Sequence, residues 1–95
     1  MAKRVYTQKA VTIESQIDTA IAVVNQNISF LRQYIEAVEA LSEIENPDAA
    51  TIRDLESAKQ SVAIFETNVA NAKSALVAVQ AQSPSYVSSN TVWSV

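Results

Sequence analysis

Residues 17–62 read IDTAIAVVNQNISFLRQYIEAVEALSEIENPDAATIRDLESAKQSV, and this stretch decides the fold. Its first half repeats every seven residues. Ile21, Ile28 and Ile35 recur at one position, and Ile17, Val24, Leu31 and Val38 at another. Steps of three and four residues keep these side chains on one side of an α-helix, the seam of a coiled coil. The pattern stops at Glu45-Asn46-Pro47-Asp48 and then resumes. Leu55, Val62, Val69 and Leu76 now alternate with Ala58, Phe65, Ala72 and Val79. Proline drives the residue before it out of the helical region. The four-residue break therefore reads as a stop and a restart, with Asn46 as N-cap, Pro47 at the first helical position and Asp48 at the positive end of the helix dipole. A connection this short joins antiparallel neighbours. The spacing predicts an all-α antiparallel hairpin spanning residues 12–82, with helices over about 12–45 and 47–82.

A second apolar stripe runs beside the first seam: Ala20, Val23, Phe30, Tyr34, Ala37, Leu41 and Ile44. One partner helix cannot cover both stripes. Either the two form one broad core-facing surface in a small bundle, or the helix has two separate neighbours. The second helix carries extra alanines off its seam, at 63, 70, 75, 78 and 81. Small side chains let helix axes approach closely but stabilise weakly per residue, so a long contact is needed. These patterns predict an oligomer of hairpins, a four- or six-helix bundle. Its self-association seam would be Ile17, Ile21, Val24, Ile28, Leu31, Ile35, Val38, Leu55, Val62, Phe65, Val69 and Leu76.

The rest of the composition narrows the chemistry. Cysteine, histidine and glycine are all absent from the 95 residues. That removes disulfides and thiolate metal sites, the commonest general base, and the glycine-rich loops that cradle phosphates. Glu36, Glu39 and Glu43 share a helix face, a spacing that in principle suits acid–base work or a divalent ion. With no histidine and no facing acidic helix, a solvated face is the better reading. No serine has a histidine to activate it. The sequence thus predicts a protein that is not an enzyme, with no catalytic residue, cofactor or metal.

Charge is polarised along the chain, whose formal net charge is −3. Residues 1–11, a basic arm, carry Lys3, Arg4 and Lys9. Residues 36–56 hold seven acids against Arg53, and residues 74–95 hold no charged side chain. Three basic residues are too few for a nucleic-acid footprint. No apolar run approaches a membrane span, and the start lacks the apolar core of a signal peptide, so neither nucleic acid nor membrane is an expected partner.

Residues 83–95 form a C-terminal arm. Pro84 ends the second helix, and the residues beyond it are serine-rich, β-branched and aromatic. Disordered tails are usually charged and poor in aromatics. An ordered, extended arm is expected instead, docking on another chain through Tyr86, Val87, Val92, Trp93 and Val95, with Trp93 as anchor. The alternative is a tail folded back on the alanine-rich second helix. The terminal Trp93-Ser94-Val95 also fits, loosely, a carboxylate ligand for a PDZ-type groove.

In overall plan the chain resembles small structural proteins of tailed bacteriophage particles: head decoration, cement, fibre-base or neck components. They are often short, cysteine-free, and made of a helical body with extended arms. The likeness rests on the whole chain rather than on a motif. It implies a virion component that binds copies of itself and a larger capsid or connector subunit. The hairpin is also similar in plan to type III secretion needle subunits, with Asn46-Pro47-Asp48 at the turn; that would place it in an extracellular filament. The second proline usual in that turn is missing here, and needle subunits end in helix. The same plan resembles secreted hairpins with a Trp-x-Gly turn, a turn this sequence lacks. A coiled-coil adaptor or secretion chaperone in the cytoplasm is the remaining alternative.

Overall fold

Residues 12–95 are described by a computed structural model. The basic arm expected at 1–11 lies outside the described residues. Two α-helices, α1 (Ile13–Ser42) and α2 (Ala49–Gln80), pack against each other as an antiparallel hairpin. The described residues contain no strand.

Each helix starts on a side-chain cap. Thr12 is extended (φ −70°, ψ 159°), and its Oγ1 accepts from the Ser15 N–H at 3.0 Å. Asp48 (φ −77°, ψ 175°) caps α2, its Oδ1 accepting from the Thr51 N–H at 2.8 Å. That hydrogen bond holds the Asp48 carboxyl below its ordinary range. The cap thus falls two residues later than the sequence suggests. Asn46 is not the N-cap, and Pro47 precedes the helix. Asn46 instead sits at φ 52°, in the left-handed region. In a chain without glycine, asparagine is a residue that tolerates that region. A residue held there cannot also adopt the extended backbone of a cap. Asp48 can, and its charge suits the helix dipole better than a neutral amide.

The core is a narrow strip. Ile17, Ile21, Val24, Ile28 and Leu31 are buried on α1, and Ala58 and Val69 on α2. Ile35, Val62, Phe65, Ala72 and Leu76 pack half-buried against it. Val38 and Leu55 are also half-buried, nearer the turn. Seam residues of the two helices thus meet one another inside a single hairpin. The physical reason is proximity: the tight turn delivers α2 to α1 as an intramolecular partner. From Ser42 to Ala50 every residue is exposed, so the core lies towards the open end and not at the tip.

Candidate functional site

Past α2 the chain reverses. The Ser83-Pro84-Ser85-Tyr86 turn is closed by the Tyr86 N–H to the Ser83 carbonyl at 3.1 Å, with proline at the position its fixed φ favours. Gln80 Nε2 donates to the Ser83 and Tyr86 carbonyls, each at 3.0 Å, and staples the reversal. The tail then runs back along α1, parallel to it.

Three α1 residues hold it: Asp18, Asn25 and Arg32, each seven apart. The Asp18 carboxylate accepts from the Tyr86 hydroxyl at 3.0 and 3.1 Å and from the Ser88 hydroxyl at 2.6 Å. Asn25 uses both ends of its amide. Its Nδ2 donates to the Thr91 carbonyl at 2.8 Å, and its Oδ1 accepts from the Trp93 N–H at 2.8 Å. The amide thus pairs with the tail backbone as a neighbouring strand would, and the two bonds fix which way it points. Arg32 donates from Nη2 to the Ser94 carbonyl, and its guanidinium lies 5.4 Å from the centre of the Trp93 ring.

The spacing works because two repeats match. A heptad rises about 10.5 Å along a helix, and three extended residues span about 10 Å. Ser88, the 91–93 pair and Ser94 therefore meet successive rungs of the ladder. Asp18, by accepting the phenol proton, holds Tyr86 ionisation above its ordinary range, with partial burial acting the same way.

The sequence leads one to expect an arm spent on another chain, or folded onto α2. Within the chain its bonds go to α1 and not to α2. The polar heptad of Asp18, Asn25 and Arg32 carries this. Of the docking residues named, Tyr86 turns inward to Asp18. Trp93 is split, its backbone N–H held by Asn25 while the residue stays 46% exposed. Val87, Val92 and Val95 face outward. Between tail and α1 remains an open cleft of about 650 Å³, lined by Ile21, Asn25, Ser29, Thr91 and Trp93 among others.

The other flank of α1 differs. Val23 and Phe30 are exposed, Tyr34 and Ala37 half-buried, and Ile44 lies exposed just past the C-cap. Phe65 of α2 leans into this flank. Its ring is 5.4 Å from Phe30, tilted, and 5.4 Å from Tyr34, stacked. On α2, Ile52, Ile64 and Val77 are also exposed. Glu36, Glu39 and Glu43 stand in solvent. Among the described residues no group of three acidic, histidine or cysteine side chains is arranged to hold a metal ion. No helix among them is long and apolar enough to cross a membrane. No protein-family model, curated protein or solved structure matches the chain.

Proposed function

We propose that the chain is a non-enzymatic structural subunit of a large protein assembly. It associates with copies of itself through its helices and offers its docked arm to a larger structural protein. One observation carries this reading. After the hairpin closes, Phe30 at 38%, Ile64 at 58% and Val77 at 69% exposure leave apolar surface on both helices. Val23 and Phe30, with Ile44 beyond them, follow one side of α1 at seven-residue steps, and an apolar row of that kind supports contact with another protein. The outward Val87, Val92, Trp93 and Val95 give the arm a contact face of its own. Neither nucleic acid nor membrane enters this reading.

The assembly we name is a tailed bacteriophage particle, with the chain in a capsid-associated or connector position. The support is the likeness of overall plan: a short cysteine-free helical body with an extended arm. The needle-filament alternative loses ground because the segment after α2 is extended and seated on α1, where the corresponding part of a needle subunit is helical. Mass spectrometry of purified particles tests the proposal, which expects the chain at fixed, high copy number. Recovery only as small soluble oligomers would favour the adaptor or chaperone reading.

A further inference from the structure

On the outer side of α1, Val23, Phe30 and Ala37 recur at seven-residue steps, with Ile44 one step on, just past the C-cap. We propose that this face pairs with the same face of a second copy, antiparallel, about a two-fold axis lying between Gln33 and Tyr34. The inference rests on the self-association read above and adds its surface, orientation and register.

Register is the first argument. About that axis Val23 of one copy faces Ile44 of the other, and Phe30 faces Ala37. The bulkiest side chain of the stripe meets the smallest, twice, as the symmetry requires. Interdigitation of large against small is how close packing is reached. A parallel, in-register pair would set Phe30 on Phe30 and Ala37 on Ala37, crowded at one level and hollow at the next.

Charge is the second. Residues 36–56 carry seven acids against Arg53. Parallel pairing would place two such tips side by side. Antiparallel pairing separates the two Ile44 positions by about 30 Å at 1.5 Å per residue, several Debye lengths at physiological salt. Each acidic tip then lies beside Thr19, Ala20 and Val23 of the other copy, which carry no charge. The third argument is access. The tail occupies the flank marked by Asp18, Asn25 and Arg32, and leaves this face clear among the described residues.

The chain has no cysteine, so single introduced cysteines report neighbours cleanly. Gln26, Gln33 and Ala40 are exposed on this side of α1. Gln33→Cys, beside the axis, should form a disulfide-linked dimer in either orientation, and so tests association through this face. A mixture of Gln26→Cys and Ala40→Cys should yield the mixed disulfide. Ala40→Cys alone should not, because its two copies would stand about 20 Å apart, beyond the reach of a disulfide. Circular dichroism confirms that each variant keeps its helices. An Ala40→Cys homodimer without the mixed species would overturn the orientation while leaving self-association standing. A Gln33→Cys chain that sediments as a monomer and forms no disulfide would overturn both.

Discussion

Asp18, Asn25 and Arg32 run along one flank of α1 at seven-residue steps; Val23, Phe30 and Ala37 run along another at the same steps. The first flank is covered by the chain's own tail; on the second, Phe65 reaches Phe30, and among the described residues Val23 and Phe30 stay exposed. The difference arises from what each chemistry needs. A polar rung is satisfied by one hydroxyl or one backbone group, so eight or so extended residues serve a whole flank. Apolar burial scales with area, roughly 25 cal/mol per Å², and a thin strand has little area to give. The polar flank can be closed within one chain, while the apolar flank calls for a second body. The tail's bonds to Asp18 are half-buried; those to Asn25 are exposed, and each of these is worth only about 1 kcal/mol. Their strength comes from being tethered close by.

The sharpest way to break this contrast is to place one charge at two adjacent residues. Leu31 is buried in the seam, and Leu31→Asp should cost several kcal/mol and abolish helicity in far-ultraviolet circular dichroism. Phe30→Asp, one residue away on the open flank, should keep the helical signal and lose self-association in sedimentation. If the two variants behaved alike, the division between seam and open flank would fail.

On the polar flank the same logic applies at smaller scale. Asn25→Asp keeps an acceptor for the Trp93 N–H but sets a carboxylate oxygen against the Thr91 carbonyl. We expect a loss of about 1 kcal/mol in tail docking from the one bond removed, with repulsion between the two oxygens adding to it. Trp93 is the only tryptophan, so its fluorescence reports tail release directly. Helicity should not change. A tail that stayed docked in this variant would show that Asn25 is incidental.

Alkali should loosen the same flank. Tyr86 ionises at higher pH when docked than when free, because Asp18 accepts its proton. Its contribution is therefore complete below the ordinary tyrosine value, about 10, and is lost as pH rises through the raised one. Trp93 fluorescence should show an alkaline step that Tyr86→Phe removes. A step unchanged in Tyr86→Phe would assign it to another group. Smallest of all, Glu39→Ala should move the melting midpoint by no more than the equivalent of about 0.5 kcal/mol. A larger loss would mean the acidic face is not simply solvated.

The hairpin is legible in the sequence because its signals are redundant. Two apolar heptads and one proline-containing break agree on a single answer. The cap of α2 is harder to place, because Asn46 and Asp48 are both good cap formers. Only the backbone decides between them, by sending Asn46 to positive φ. The seam residues are legible as apolar contacts but not as belonging to one chain, since periodicity carries no information on which helix lies opposite. The tail's seat is hidden for a different reason. Asp18, Asn25 and Arg32 differ in type and charge, and two of them bind tail backbone, which has no side-chain signature. Their shared heptad spacing is the available signal, and it shows only when polar residues are tracked with the same care as apolar ones.

The position of the core has a kinetic consequence. Its buried cluster joins residues far apart in sequence, such as Val24 and Val69, while the residues flanking the turn are exposed. Bringing Val24 to Val69 closes a loop several times longer than a contact at the tip would. By loop-closure entropy this adds roughly 1 kcal/mol to the barrier. The tip has too little apolar surface to hold a first turn of hairpin while the rest zips up. We therefore predict that the rate-limiting step is the meeting of two largely formed rods at their open ends, swung together about the corner at Asn46-Pro47. Val69→Ala should then slow refolding, whereas Leu41→Ala should act mainly by speeding unfolding. Stopped-flow measurement of both would show whether the hairpin closes from its mouth or from its tip.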